Sequence, residues 1–595
     1  MVEPNDPRLP PAFSPEGLVR LFREDRHVEL SEAILATLHH FRDRTYHQLE
    51  AQGQSFVDVF VQVFLSLFAT PGYYLRRDHL LEFARLNATI SNVVAMSRFG
   101  TTDEALARLA VDPAGWAKAV VLCSARNRQR VDVRGLFDLD PELAWVWYGA
   151  FAQTFNSGLI EERVAENLRE HFRQADDRLD VGLAPLDAYF ASTYCGGDCD
   201  RVVKSAMNRA VRREAAFRGL SARNRPDPRR IAVVSGNWSA DHSVYRISRA
   251  FVEALSDYHL TLVRFGRKPG GEIELFDEVV TLGTDSRGRL DVSPLLDNSF
   301  GLAYFPDVGL TEESVLLANL RLAPVQVASM GHSVSSFGSE VDYWISGVEA
   351  ESTDHPERFY SERLVLLPGS GAVHERPAVM PGRFHRSDDE ILLNCPWNAQ
   401  KLNAGFVGTL RKILARTSRP VRLRIYVNRS LDRRNDLVPF VRELERLLGR
   451  NCVEVKRGLS YPDYMAEMAA GDFTIDSHPF GGCNTVADSL HLRRLTVTYE
   501  SDRWYGRIGS QMVRSAGLPE LATGSEEEYV ETVLRLIHDE QFRAGLQERL
   551  DQVDLDATVF RRDEAGYFAR AIAYLIDNHE RLRSEDGRAP IRIER

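Results

Sequence analysis

The sequence predicts an all-helical domain followed by two doubly wound α/β domains in tandem. Three observations support this fold class: a helical apolar period through the N-terminal third, a Pro- and Arg-rich linker after it, and strands that alternate with helix-length segments beyond the linker. We therefore place the helical domain at 1–222, the first α/β domain at 231–380 and the second at 388–595.

The N-terminal domain is predicted to be helical because its apolar residues recur three and four positions apart. Phe56, Phe60, Phe64 and Phe68 illustrate this period. No repeat of about 34 residues is visible, so a regular helical solenoid is not supported. Acceptor binding and simple scaffolding are both compatible with such a domain.

A linker at 221–230 contains two prolines and a cluster of arginines, and a strand–helix–strand unit begins directly after it. Its strands are predicted at 231–234 and 260–265, around a helix near 247–255. Further strands of this domain are predicted at 301–305, 325–328, 343–345 and 363–367. This spacing is typical of a parallel sheet with helices on both faces.

A break rich in proline, glycine and histidine at 369–387 separates the second α/β domain from the first. Strands of the second domain are predicted at 391–394, 421–426, 453–455, 473–475 and 494–498, and final helices near 526–539 and 562–578. Two such domains leave a cleft between the carboxyl ends of their strands, where ligands bind.

Composition narrows the class of protein. The 595 residues are 44% hydrophobic and 27% charged, which is typical of a soluble globular protein, and the net charge of −11 argues against a general nucleic-acid binder. Six cysteines without regular spacing fit a reducing compartment. The one close pair, Cys195 and Cys199, lacks the neighbouring histidines of a metal site. With no signal peptide or membrane-spanning stretch visible, we expect a cytoplasmic protein.

The most informative segment is 476–488, which joins a predicted strand end to a helix start through a glycine turn. Backbone N–H groups are expected to converge there, and the helix N-terminus adds partial positive charge. The residues at the turn are Gly481, Gly482, Asn484 and Thr485. Such a junction suits a diphosphate, and Asp488 is placed to accept hydrogen bonds from sugar hydroxyls. The alternative is an ordinary connection in which Asn484 and Thr485 cap the helix.

Two further segments follow predicted strands of the first α/β domain and face the same cleft. After the strand at 231–234, His242 is a candidate general base, and Ser243 or Arg246 is placed to reach a phosphate. After the strand at 325–328, Gly331 permits close backbone approach and His332 supplies a hydrogen-bond donor. A lone histidine also has an ordinary structural interpretation.

The second α/β domain contributes a lysine and a tyrosine. Lys401 lies at a helix entrance, where an ammonium can neutralise a diphosphate leaving group in place of a metal ion. Tyr461 opens a later helix and can lay its ring against a nucleobase. The alternatives are a surface lysine and an ordinarily packed tyrosine.

In this order, the segments resemble glycosyltransferase family 41, which contains the O-GlcNAc transferases and the bacterial cytoplasmic N-glucosyltransferases that modify adhesins. The resemblance covers about 231–578 and is closer to the N-glucosyltransferases. It is carried by His242-Ser-Val-Tyr-Arg246, Leu322-Ala-Pro-Val-Gln326 with Gly331-His332, Tyr461-Pro-Asp-Tyr464, Pro479-Phe-Gly481 and Gly517-Leu-Pro519.

The resemblance implies a GT-B fold, a UDP-sugar donor, and a reaction that inverts the anomeric centre without a metal or cofactor. It places Lys401 at the diphosphate and His242 near the acceptor as the catalytic pair. The donor would be held by Asn484, Thr485 and Asp488, in a cleft lined by Ser243, Arg246, Gly331 and His332. The function this favours is transfer of a hexose, glucose in preference, from a UDP-sugar to asparagine of a protein or peptide.

Two departures keep other functions open. Arg457-Gly458 stands where the N-glucosyltransferases usually carry a histidine, and the segment 499–508 looks more like the O-GlcNAc transferases. Transfer of N-acetylglucosamine or another hexose to serine or threonine therefore remains an alternative, as do a non-protein acceptor and a non-catalytic binding scaffold. Residues around Arg457 and Arg503 are expected to select the sugar.

Overall fold

The computed structural model describes residues 14–43, 49–112, 115–152, 160–174, 186–213, 220, 223–240, 242–265, 273–286, 289–380, 390–427, 437–585 and 587–595. The predicted domain limits at 222 and 388, and residues 381–387 of the predicted break, lie outside these ranges.

The described N-terminal residues fold into helices around one apolar core, as predicted. The helices are α1 (Pro15–Arg23), α2 (His27–Arg42), α3 (Ala51–Phe68), α4 (Arg77–Arg85), α5 (Asn87–Met96), α6 (Asp103–Leu109), α7 (Trp116–Leu122), α8 (Val133–Leu139), α9 (Pro141–Ala152), α10 (Glu162–Arg173), α11 (Leu186–Ala191) and α12 (Cys199–Arg213). The phenylalanine period of α3 forms an aromatic row, since the rings of Phe60, Phe64 and Phe68 follow one another at 5.8 and 5.3 Å.

Parallel strands and helices alternate through the rest of the chain, again as predicted. The strands are β1 (Asp227–Ser235), β2 (His259–Arg264), β3 (Glu278–Thr281), β4 (Phe300–Phe305), β5 (Val325–Ala328), β6 (Tyr343–Gly347), β7 (Arg363–Leu367), β8 (Ile391–Cys395), β9 (Val421–Tyr426), β10 (Val453–Lys456), β11 (Phe473–Ile475), β12 (Thr496–Tyr499), β13 (Ala522–Thr523) and β14 (Ile591–Arg592). The helices among them are α13 (Ser243–Glu253), α14 (Ser293–Leu296), α15 (Glu312–Ala318), α16 (Ala404–Arg416), α17 (Leu437–Leu448), α18 (Tyr461–Ala470), α19 (Asn484–His491), α20 (Ile508–Ser515), α21 (Glu526–His538), α22 (Glu540–Gln552), α23 (Leu555–Thr558) and α24 (Ala565–Ser584).

The strands of the described residues form two sheets. The first has the order β14-β7-β6-β5-β4-β1-β2-β3 and the second the order β10-β9-β8-β11-β12-β13. The central strands are apolar on both faces, and β4 and β5 are buried at every position, because helices cover both sides of each sheet. In such sheets the ligand crevice lies at the carboxyl ends of the strands.

The C-terminal helix crosses back to the first α/β domain, which the predicted limit of 388–595 for the second domain did not anticipate. Phe568 of α24 stacks on Phe251 at 4.5 Å and contacts Tyr304 at 5.0 Å, and β14 extends the first sheet by pairing with β7. The apolar face of α24 packs on the first sheet together with α13, so residues from about 565 belong to that domain.

The helical domain packs on both α/β domains. Its core includes Val315 and Leu316 of α15 and Val438 of α17. Polar contacts fix its last helices on the loop after β5: the Tyr189 hydroxyl donates to the Ser336 carbonyl at 3.2 Å and the Asn208 amide to the same oxygen at 2.6 Å. In the described part of the chain, no helix combines the length and apolarity needed to cross a bilayer.

Candidate active site

An ion pair crosses the cleft between the two α/β domains. Arg246 of α13 donates to Asp488 of α19 through two guanidinium nitrogens, at 2.7 and 3.4 Å. The Tyr461 hydroxyl, at the start of α18, donates to the same Asp488 carboxylate at 2.7 Å, and its ring lies 5.3 Å from the Arg246 guanidinium carbon. Arg246, Asp488 and Tyr461, all three predicted as site residues, are thus in direct contact although they come from two domains.

Asn484 makes a second contact across the cleft. Its side-chain amide donates to the Ser243 carbonyl at 3.0 Å, and its amide oxygen lies 3.3 Å from Nδ1 of His374. Burial lowers the pKa of His374 to about 4, so the ring is neutral, and a proton on Nδ1 fits donation to Asn484. The alternative in which Asn484 caps the helix is wrong, because Cys483 is the N-cap residue of α19 and Asn484 is its first helical residue.

The glycine turn folds around a carboxylate of the chain itself. Asp476, at the end of β11, accepts the Gly482 N–H on both oxygens, at 2.8 and 2.9 Å, and the Ser477 N–H at 2.8 Å. The Gly481 N–H donates to the Tyr505 carbonyl at 3.1 Å. The expectation that both glycine N–H groups point at a ligand is therefore wrong, because Asp476 and Tyr505 already accept them. Thr485, half-buried in the first turn of α19, stays beside this loop.

Lys401 binds the outer side of the same turn. Its ammonium donates to the Gly481 carbonyl at 2.6 Å and lies 5.0 Å from the Phe480 ring centre. Burial lowers the pKa of Lys401, while the neighbouring Asp476 and Cys483 act in the opposite direction. Burial likewise raises the pKa of Asp476, which Lys401 counteracts. The lysine predicted at a helix entrance thus occupies a 3₁₀ turn (Ala399–Lys401) beside the glycine loop.

His242 and Ser243 form the start of α13 on the opposite wall. His242 is half-buried and caps the helix, accepting the Val244 N–H on Nδ1 at 3.2 Å. Ser243 is exposed and faces Asn484 through its backbone carbonyl rather than its hydroxyl. The histidine's capping bond orients its ring at the edge of the cleft.

Gly331 and His332 have close neighbours in the chain itself and in the helical domain, and their part in lining the cleft stays a prediction. A Cβ on Gly331 would be 1.7 Å from the Pro306 carbonyl oxygen, so the close approach is to the chain itself. His332 is buried, with Nε2 3.1 Å from the Thr193 hydroxyl and its ring 5.0 Å from Phe190, both in the helical domain. Burial lowers its pKa well below the ordinary value, and the neutral ring joins the helical domain to the first sheet.

Sequence reasoning missed His374, Asp476 and Phe480 as parts of the site. Asp476 and Phe480 stand inside the segment that drew attention, but their contacts depend on how the turn folds back. His374 lies in the break between the domains, where a pattern of strands and helices carries no signal. Within the described residues, no three histidine, cysteine or carboxylate side chains converge as metal ligands do, and the metal-independent reaction stays a prediction.

Two parallel sheets with their carboxyl edges on one cleft define the GT-B fold, here preceded by an all-helical domain. Solved structures with a similar fold include a variant O-GlcNAc transferase of Thermobaculum terrenum, which aligns over 94% of this chain and 98% of its own, with a TM-score of 0.57 and 19% identity. That likeness supports the fold, including its helical part.

The sequence matches named protein glycosyltransferases of two kinds. A UDP-glucose:protein N-beta-glucosyltransferase of Actinobacillus pleuropneumoniae serotype 5b is 25% identical over 397 residues, 63% of this chain and 62% of its own length. A protein of Solanum lycopersicum named "Probable UDP-N-acetylglucosamine–peptide N-acetylglucosaminyltransferase SPINDLY" is 25% identical over 264 residues, 41% of this chain and 27% of its own.

These matches confirm the resemblance seen in the sequence: the named relatives are UDP-sugar-dependent protein glycosyltransferases. The chain spans 62% and 47% of the lengths of the two N-glucosyltransferases that it matches. No protein-family profile matches it.

Proposed function

We propose that this chain is an inverting, metal-independent glycosyltransferase that moves a hexose, glucose in preference, from a UDP-sugar to an asparagine side chain of a protein. The observation that carries the proposal is the cleft between two GT-B domains, which Arg246–Asp488 and Asn484–Ser243 bridge. Lys401 lies on the adjoining glycine turn, bonded to Gly481. The match to N-glucosyltransferases supports glucose and asparagine.

The cleft would act by stabilising the negative charge on the leaving group. Attack by the acceptor nitrogen on the anomeric carbon breaks its bond to the β-phosphate oxygen, and UDP departs with the bonding pair. The Lys401 ammonium and the first turn of α19 provide positive charge at that side of the cleft. These groups are held in place before the reaction, so they stabilise the developing charge without reorganising.

The donor would be held by the residues that now bind one another. Asp488 has its oxygens on Arg246 and Tyr461, and we infer that the donor takes over part of this network, with Arg246 turning to the diphosphate and Asp488 to sugar hydroxyls. Tyr461 is 38% exposed, which leaves part of its ring for the nucleotide. His242, on the opposite wall, is the candidate that receives the acceptor proton.

A second candidate is transfer of N-acetylglucosamine to serine or threonine. The SPINDLY match favours it, as does the segment 499–508. Arg503 of that segment pairs with Asp200 of the helical domain at 2.6 Å and donates to the Gly197 carbonyl at 3.2 Å. Its role in selecting the sugar therefore remains a prediction, since these contacts anchor it to the helical domain.

The test is a panel of UDP-sugars incubated with two peptide sets, one with Asn-x-Ser/Thr sequences and one with serine and threonine but no asparagine. We expect release of UDP and a hexose increment on asparagine with UDP-glucose, and loss of both in Lys401→Met. An N-acetylhexosamine increment on serine or threonine would establish the second candidate instead. Absence of UDP release, together with no binding of UDP by calorimetry, would exclude a transferase.

A further inference from the structure

A tyrosine of the helical domain enters the aromatic layer beside Lys401. Tyr194 lies in the connection between α11 and α12, and its half-buried ring contacts Phe480 at 4.8 Å between centres. Phe480 in turn stacks on Tyr505 at 4.2 Å with nearly parallel planes. The layer therefore combines one ring from the helical domain with two from the second α/β domain.

Tyr194 contacts both segments that fix the Lys401 ammonium. Its hydroxyl lies near enough to the side chain of Gln400, the residue directly before Lys401, for that side chain to lower the hydroxyl pKa. Its ring packs on Phe480, which lies under the ammonium and directly precedes Gly481, the residue whose carbonyl accepts the lysine's hydrogen bond. One side chain thus touches the lysine's own turn and the turn of its acceptor.

The connection that carries Tyr194 is itself held in place on two sides. Thr193 bonds His332 of the first α/β domain at 3.1 Å. Asp200, largely buried, pairs with Arg503 of the second domain at 2.6 Å, and Arg503 also binds the Gly197 carbonyl. Because the segment around Tyr194 is fixed on both sides, holding a neighbouring side chain in place costs it little additional conformational entropy. A residue that positions another one needs such a rigid support.

We propose that Tyr194 is a positioning residue for the transfer reaction: it holds the Lys401 ammonium against the glycine turn and limits its contact with water. The catalytic consequence rests on the proposed function. The effect of Tyr194 on the position and hydration of Lys401 does not depend on which reaction the protein performs. It makes the helical domain a contributor to the donor site rather than only a scaffold or an acceptor surface.

The environment of Lys401 predicts how the pH dependence of activity should change when Tyr194 is replaced. Burial lowers the pKa of Lys401, and the charged or titratable groups that act on it are Asp476 and Cys483. The Tyr194 hydroxyl has its own pKa raised by burial to about 12, above the range of the test. If the ammonium is the active form, activity falls as pH rises through the pKa of Lys401. Removing the Tyr194 ring admits water, raises that pKa and moves the alkaline limit of activity upward.

The experiment compares Tyr194→Ala, Tyr194→Leu and Tyr194→Phe with Tyr74→Ala, a control on an exposed tyrosine of the same domain. For Tyr194→Ala we expect kcat to fall at least about tenfold with the peptide KM changed less than about threefold. Tyr194→Phe retains the ring and should keep most of the activity and the wild-type pH limit. Tyr194→Leu keeps apolar bulk, so it separates loss of the ring from collapse of the connection.

A double-mutant cycle and a chemical measurement complete the test. In a Lys401→Met background, Tyr194→Ala should cost little more, because the group it positions is gone. Independently of transfer, the rate of Lys401 acetylation by acetic anhydride, followed by mass spectrometry across pH 7 to 10, should reach its half-maximum at a higher pH in Tyr194→Ala, because the reagent attacks only the neutral amine. In Tyr74→Ala this pH should be unchanged.

The two proposals fail separately. A change in peptide KM alone, with kcat, the pH limit and Lys401 acetylation as in the wild type, would make Tyr194 an acceptor contact and overturn the inference. Altered acetylation in a protein that transfers no sugar would leave the positioning role standing and remove the proposed function.

Discussion

Lys401 is held in a way that suits a charge required at one moment of a reaction. Its ammonium has a single carbonyl partner at 2.6 Å, an aromatic face at 5.0 Å, and Asp476 close enough to act on its charge. Burial lowers the pKa of Lys401 and so disfavours the charged ammonium, whereas Asp476 favours it. In the proposed function, the donor's diphosphate would supply a further counter-charge beside Asp476.

Lys401→Met should therefore separate activity from stability. Loss of one preorganised cation at the leaving group is expected to cost about 2.7–4 kcal/mol of transition-state stabilisation, a fall in kcat of about a hundredfold or more. The melting temperature should stay the same or rise, since methionine fills the space without a partly buried charge. Steady-state kinetics and thermal melts measure the two effects, and activity within a few-fold of wild type would remove Lys401 from the mechanism.

His171 gives a residue-scale prediction outside the cleft. Its buried ring stacks between Tyr148 and Phe151, each at 4.2 Å, and burial lowers its pKa to about 3. Its stabilising contribution is therefore complete above the unfolded pKa of about 6.5, and is lost as pH falls below it, because the unfolded chain binds the proton first.

Between pH 7.5 and 5.0 this one histidine should lower the free energy of unfolding by about 2 kcal/mol. For His171→Gln, the free energy of unfolding measured with denaturant should fall over the same pH range by about 2 kcal/mol less than for the wild type. This difference is expected whatever the stability of the variant at pH 7.5. If the free energy of unfolding depended on pH equally in wild type and variant, the His171 ring would be protonated in the folded protein as readily as in the unfolded one.

The partners of the predicted site residues show what sequence can and cannot reveal. Arg246, Asn484 and Asp488 were expected in one cleft, because each lies within the first five residues of a helix that follows the carboxyl end of a parallel strand. The use of the Gly482 N–H by Asp476 was not predictable, since it depends on a turn folding back over six residues. The burial of His332 likewise depends on how a separate helical domain docks.

At the scale of elements, the strand predictions hold wherever apolar runs are long. Two of the strands missed, β13 and β14, have two residues each and are too short to carry a period. The third, β3, has no fully buried residue and therefore lacks the apolar run that marks the equally short β5. Glycines, in contrast, mark where backbones approach. A Cβ on Gly331, after β5, would lie 1.7 Å from the Pro306 carbonyl oxygen and 3.1 Å from the Asp307 Cα, both backbone atoms that cannot rotate away.

Gly331→Ala is thus expected to lower the free energy of unfolding by about 3 kcal/mol or more. Gly482→Ala should cost less in stability but impair donor binding, since the closest atom, the Thr485 hydroxyl at 2.4 Å, can rotate and disturb the loop. Gly408→Ala in α16 is the control: nothing lies within 4 Å of its Cβ, and alanine in a helix stabilises by about 0.5–1 kcal/mol. Denaturant unfolding and UDP binding measure all three, and similar effects of Gly331→Ala and Gly408→Ala would contradict the close approach.

At the scale of the whole molecule, the parts are connected in more ways than their order along the chain implies. The chain returns through α24 and β14 to the first α/β domain, and the helical domain packs on a helix of each α/β domain. This return was not predictable from the sequence, because the apolar face of α24 fits either sheet. Across the cleft, Arg246 and Asp488 form an ion pair between the two α/β domains.

The pair Arg246–Asp488 should hold the two domains together in the absence of donor. The Arg246 side chain is 15% exposed and that of Asp488 is 3% exposed. Arg246→Met therefore leaves a buried carboxylate whose remaining side-chain partner, among the residues described, is Tyr461. Breaking such a pair costs roughly 3 kcal/mol, enough for about a hundredfold faster amide exchange if the two helices open together.

Hydrogen exchange followed by mass spectrometry should then show faster exchange in both α13 and α19, although they lie in different domains. Restoring the balance in Arg246→Met with Asp488→Leu should recover much of the protection, because the buried charge is gone. The control breaks the exposed pair Arg85–Glu82, 3.0 Å apart on α4, and should change exchange by little, as exposed pairs contribute less than about 1 kcal/mol. Faster exchange confined to α13 would mean that Asn484 and the other contacts close the cleft without the ion pair, and that donor binding does not have to displace it.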